Sequence, residues 1–232
     1  MIGYIRFNPA DTCALPRIKK TELNPLDEGQ IAAFLKVIQG HRFEDIFIVT
    51  LFTGLQEGEV LGLTWDCVDF ESNTLYINKQ LQKSTKVGGA YQLVSMKNGK
   101  ARTITAAPFV MAQFKRRKVT QMEHRLKAGS AWENSDLVFT DELGHHLTKP
   151  TVYRAFKKAA ASIGRPDARF HDLRHSYAVP ALRSGDDIKT VQGNLGHATA
   201  TFTLDVYGHV TEQMKQESAA RMESFIRSVS GS

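Results

Sequence analysis

Phe170-His171-Asp172-Leu173-Arg174-His175 is the stretch on which the reading of this chain turns. His171 and Arg174 stand three residues apart, a spacing that puts both side chains on one face of a helix. Downstream lie Leu195-Gly196-His197 and then Leu204-Asp205-Val206-Tyr207-Gly208-His209. These residue types suit convergence on one phosphate. Arginine forks onto two phosphate oxygens and stays charged. Histidine donates to a non-bridging oxygen or exchanges a proton near neutrality. Tyrosine supplies an oxygen nucleophile, but with a resting pKa of about 10 it needs help to ionise. Each is weak alone: a tyrosine before Gly-His is ordinarily half buried at the surface, and a lone histidine ordinarily caps a helix or fills a core. Together, in this order, they outweigh those readings.

The chain upstream reads as mostly helical. Asp27 is an N-cap with Gln30 as its capping-box partner, and Ile31, Phe34, Leu35 and Ile38 follow at helical spacing. Ile46 to Phe52 predicts a buried helix stopped by Gly54, and Glu57 to Leu63 a short one. Leu75-Tyr76-Ile77, Tyr91-Gln92-Leu93 and Thr103-Ile104 suggest short strands, and Lys97-Asn98-Gly99-Lys100 has the chemistry of a hairpin turn. Pro108 opens a long helix that Gly129 ends. Leu137 to Thr140 reads as a strand, and helices are expected over 151–163, 171–183, 187–194 and 211–228. Pro180 would cost a straight helix roughly 3 kcal/mol, so an end near Val179 is the easier solution. The fold class is therefore α+β, mostly helical, with one small antiparallel sheet.

Composition narrows the partners. The net charge of +6 favours a polyanion. No run of about 18 apolar residues is present, so no membrane span is expected. Two cysteines are too few for a disulfide framework or a zinc site and fit a reducing cytosol. His145-His146 looks metal-like but lacks nearby ligands and reads as a solvated loop. In Lys115-Arg116-Arg117-Lys118, four consecutive helical residues point around most of the cylinder, so at best half can face a polyanion. Lys83, Lys86, Lys100 and Arg102 are better phosphate contacts.

His171-x-x-Arg174, Leu195-Gly196-His197 and Tyr207 resemble the tyrosine recombinase signature, closest to the integrases of conjugative transposons and phages. So do Thr53-Gly54-Leu55-Gln56-Glu57-Gly58-Glu59 and Leu63-Thr64-Trp65-Asp66. The likeness runs from about residue 25 to the end. It implies site-specific DNA recombination with no metal and no cofactor. Tyr207 would attack the scissile phosphate and form a 3′-phosphotyrosyl link, releasing a 5′-hydroxyl. Arg174 would clamp the charge that builds in the transition state. His171 and His197 would hydrogen-bond the phosphate and manage protons. Lys97 matches the lysine that protonates the leaving 5′-oxygen, and Glu59 the acidic position that orients the site. The resemblance also implies double-stranded DNA as partner and self-association on it as a tetramer. It divides the chain into a linker or remnant of a core-binding domain (1–24), a catalytic domain (25–210) and a helical tail (211–232). The short start suggests that core- and arm-binding domains are absent. Met214, Met222, Phe225 and Ile226 of the tail would pack on their own domain or on a neighbouring protomer.

One departure matters. After Thr-Gly-Leu the family has arginine, and here Gln56 stands. Glutamine is neutral and cannot supply the second bidentate cation. The expectation is a recombinase that cuts DNA poorly or not at all. The alternatives are a DNA-binding homologue that regulates or competes with an integrase and, less favoured, a topoisomerase-like relaxase.

Overall fold

The computed structural model describes residues 24–84, 89–96, 101–196, 218–223 and 225–230. Local signals set most helix ends. α1 (Glu28–Ile38) begins at Asp27, whose carboxylate accepts from the Gln30 amide at 2.8 Å while the Gln30 side chain accepts from the Asp27 amide at 3.1 Å. α2 (Glu44–Thr53) is apolar all round and lies at the centre of the core, where such a helix must be. Its two buried threonines donate back to the carbonyls of Ile46 and Val49, so no hydroxyl is stranded. Gly54 ends it in the left-handed region at φ 68°. α3 (Glu57–Leu61) follows at once. α4 (Pro108–Ala128) opens on its proline and closes at Gly129. α5 (Lys149–Ser162), α6 (Phe170–Arg183) and α7 (Ile188–Leu195) complete the helical set. Phe34, Phe47, Phe156 and Phe170 meet edge-on or tilted, with centroids 5.7–6.2 Å apart, and tie α1, α2, α5 and α6 into one core.

The β region is split in two. β1 (Val68–Asp69), β2 (Thr74–Ile77) and β5 (Arg102–Thr105) form one sheet in the order β1-β2-β5, and β3 (Lys79–Lys83) pairs with β4 (Tyr91–Ser95) in another. All pairs are antiparallel. The strands flanking Lys97-Asn98-Gly99-Lys100 therefore do not pair with each other, as a hairpin turn there would require. Ile77 faces Arg102 and Lys79 faces Ser95, and the Met96 amide donates to the Asn78 carbonyl at 3.0 Å. The four turn residues themselves lie outside the described residues.

Two further expectations are corrected. Leu137 to Thr140 is not a strand and makes only single bridges, Thr64 to Leu137 and Thr140 to His146. Side chains of α4 take its carbonyls instead: Arg117 donates to those of Val138 and Thr140, and Gln121 to that of Leu137. The helix expected over 171–183 does form, as α6, but the easier end near Val179 is not taken, since α6 runs through Pro180 to Arg183. The continuation carries Ala181 and Leu182 into a second small core with Ala178, Val191 and Leu195. Burying Leu182, Val191 and Leu195 is worth roughly 1.5–3 kcal/mol each. That exceeds the roughly 3 kcal/mol of an interior proline.

Gly54 seals the joint between the two cores. A Cβ there would lie 2.6 Å from Leu195 Cδ2 and 3.0 Å from the Tyr177 ring, on a backbone that side chains resist. Gly54→Ala should lose about 2 kcal/mol or more, from the left-handed conformation plus the clash. A thermal melt of the variant indistinguishable from the parent would contradict this.

Candidate active site

Asp172 starts the site by starting α6. Its carboxylate accepts from the Arg169 amide at 2.8 Å and from the Arg169 guanidinium at 2.9 Å. Phe170 and Leu173 are buried in the core and fix the rotation of the helix. His171 then falls in the first turn and Arg174 in the second, on one face.

Arg174 is 2 % exposed. Its Nη1 donates to the carbonyl of Gly54 at 2.7 Å, and its Nη2 donates to the carbonyl of Leu195. These carbonyls belong to the C-terminal ends of α2 and α7, where helix dipoles concentrate negative potential and favour a cation. Glu59, fully buried, lies beside it, with Oε2 4.0 Å from Arg174 Nη1. That same oxygen accepts from the Gln56 amide at 2.8 Å. Arg102 forks onto Glu59, Nη1 to Oε1 at 2.9 Å and Nη2 to Oε2 at 2.7 Å. Two guanidiniums thus flank one carboxylate, so this cluster holds an excess positive charge that an anion would complement.

Gln56, His171, Glu57, Gln80 and Lys149 line a polar cavity of about 200 Å³ next to this cluster. Gln56 is exposed and sits at the N-cap of α3. Lys149 and Gln80 were not legible as site residues, because nothing local distinguishes them from solvated side chains. Burial pushes the Glu57 carboxyl up, and Lys149 opposes that shift.

The His171 imidazole is held below its usual range, first by desolvation and then by the Arg174 guanidinium. A base whose pKa is depressed on folding takes up its proton more readily when unfolded. Its contribution to stability is therefore constant above the unfolded pKa of about 6.5 and is lost as pH falls from there toward the folded value. Nitrogen-detected NMR should place the His171 midpoint below that of a model imidazole, and His171→Gln should soften the acid limb of the stability profile. A midpoint at or above about 6.5 would rule this out.

The other sequence candidates fare differently. Arg102, expected to touch phosphate, is turned inward, with Nε donating to the carbonyl of Asn194 at 2.8 Å in addition to its fork on Glu59. Lys83 ends β3 and is exposed. Tyr207, His197, Lys97, Lys86 and Lys100 lie outside the described residues. In the basic run of α4, Arg117 is buried, Arg116 meets Glu44 and Asp45, and Lys118 lies over the rings of Trp65 and Phe70. His145 contacts Asp141 and Glu133, and His146 packs on Tyr91.

Residues 24–214 match the model of the phage integrase family. This chain belongs to that family. As an integrase-family chain it is 31% identical to the "Tyrosine recombinase XerC-like" protein of Caldanaerobacter subterraneus subsp. tengcongensis, over 92% of this chain and 59% of that relative. It is 23% identical to the ICEBs1 integrase of Bacillus subtilis, over 96% of this chain and 60% of that one. The chain thus spans about three-fifths of the length of these curated relatives. Its fold is similar to that of the Tn1549 transposon integrase, solved in complex with transposon right-end DNA. The TM-score is 0.73, at 22% identity, covering 94% of this chain and 71% of that one. Among the described residues of this integrase-family chain, no helix is long and apolar enough to cross a membrane.

Proposed function

We propose that this chain cleaves and rejoins double-stranded DNA through a phosphotyrosyl intermediate at Tyr207, and that Gln56 makes cleavage slow. The supporting observation is the presentation of His171 and Arg174 by α6 beside buried Glu59, with His171 lining a polar cavity of about 200 Å³. In the step, the Tyr207 oxygen bonds to phosphorus and the bond from phosphorus to the 5′-oxygen breaks. The phenolic proton passes to a site histidine, and the leaving 5′-oxygen takes a proton from Lys97. Arg174, with His171 and His197, stabilises the equatorial oxygens as charge builds. Residues 25–210 act as the catalytic unit. The tail, 211–232, joins copies into a tetramer on DNA. In support, Met222, Phe225, Ile226 and Val229 are exposed, as a helix awaiting a partner surface would be.

A second reading is a homologue that binds DNA without cutting it, and Gln56 specifically favours it. One experiment separates the two. Bound sites are recovered by pull-down and sequencing, and the strongest is built as a nicked suicide duplex. Covalent adduct is then measured for the parent chain, Gln56→Arg and Tyr207→Phe. Adduct that depends on Tyr207 supports cleavage. Binding without adduct in both the parent and Gln56→Arg leaves the second reading.

A further inference from the structure

We infer that Arg102 is a positioning residue, a buried lock that joins β5, α3 and the C-terminus of α7 at one carboxylate. The inference rests on the proposed strand-cleavage reading for what is positioned; the lock itself does not depend on it.

Three features carry it. Arg102 spends its guanidinium on two elements distant in the chain: both Nη atoms on Glu59 of α3, and Nε on the Asn194 carbonyl near the end of α7. Its side chain is 10 % exposed and that of Glu59 is fully buried, so the pair is shielded from water and salt. The chain also crosses the guanidinium at Gly196, which caps α7 at φ 64°; a Cβ there would sit 3.0 Å from Arg102 Nη1 and 3.1 Å from Cζ. Position 196 therefore needs both the left-handed backbone and the missing side chain. A surface arginine meant for DNA would need none of this.

The consequence is mechanical. Arg102 is the first residue of β5, five places after Lys97, and Gly196 immediately precedes His197. Glu59, which receives the fork, also holds the Gln56 amide and lies beside Arg174. One guanidinium thus fixes the described elements that lead into both segments, relative to α3 and α6. Lysine cannot replace it, because an ammonium cannot make the planar fork and the Asn194 bond together.

The test uses the whole chain carrying Arg102→Lys. Amide exchange is read at Gln56, whose N–H rests on Glu59, and at Gly196, whose N–H caps α7. Both should quicken together by about tenfold, with Phe47 and Val138 unchanged. In Arg102→Gln, which removes the cation and leaves Glu59 in place, the His171 midpoint should rise, because Glu59 then acts on it less neutralised. If Arg102→Lys gives no cooperative melt, Arg102→Gln also carries the exchange measurement, since the Gln56 amide keeps its acceptor. Binding of Arg102→Gln to a random-sequence duplex should keep the parent's salt slope, whereas a lost phosphate contact would reduce it by about one. A slope reduced by that amount, an unmoved His171 midpoint in Arg102→Gln, or quickening at only one of the two amides would overturn the lock. Absence of covalent adduct in the cleavage assay would remove the strand-cleavage reading and leave these rates as they are.

Discussion

Gln56→Arg is expected to raise the yield of covalent adduct on a suicide duplex by about 10²–10³-fold, the usual worth of one preorganised donor aimed at developing charge. The site has room for the change. Gln56 is exposed at the N-cap of α3 and faces the polar cavity that His171 also lines. Its fixed contribution is a backbone one, the amide that donates to Glu59, and a new side chain leaves that bond in place. The gain should therefore come with almost no change in melting temperature. A gain confined to DNA affinity, with adduct flat, would mean that residue 56 is not what limits cleavage.

Arg174→Met should have the opposite profile, with a large loss of stability as well as of any cleavage. The guanidinium satisfies the carbonyls of Gly54 and Leu195, both at helix ends inside the protein. Each carbonyl left without a donor costs roughly 1–3 kcal/mol, and each kcal/mol lowers Tm by about 2–4 °C in a domain of this size. Removing the cation also leaves Glu59 with one guanidinium instead of two. Arg174→Lys should recover part of the charge but not both bonds, and so should melt between the two. Calorimetry on the three proteins decides the matter. A variant with methionine at 174 that melts with the parent would show that those carbonyls find other donors.

The sequence spoke clearly where a signal is local. The Asp27–Gln30 box, the stop at Gly54 and the Pro108–Gly129 limits each depend on a few neighbouring residues, and each appears in the structure. The pairing of His171 with Arg174 on one face was legible for the same reason. What long-range packing decides was not. Pro180 stays helical because a second core rewards the extra turn. Val138 and Thr140 look like strand residues, but the donors that meet their carbonyls lie about twenty positions away in α4. Arg102 reads as one more surface cation until Glu59, 43 residues earlier, is seen beneath it. Order and spacing of motifs carried the family and its fold, since they survive where single side-chain directions do not.

Under the proposed reading Arg174 serves both the fold and the chemistry and residue 56 the chemistry alone, and the difference bears on descent. An arginine at position 56 would project from an exposed cap and hold up no part of the interior, so its presence or absence would matter little to folding. Residue 174 is bound into the architecture, and a lineage that discarded it would forfeit the protein along with the chemistry. When selection for recombination relaxes, erosion should enter by the outward-facing cation and stop short of the inward-facing one. A gene in that condition would still encode a well-folded protein, and under the proposed reading a single substitution at position 56 would supply the second cation.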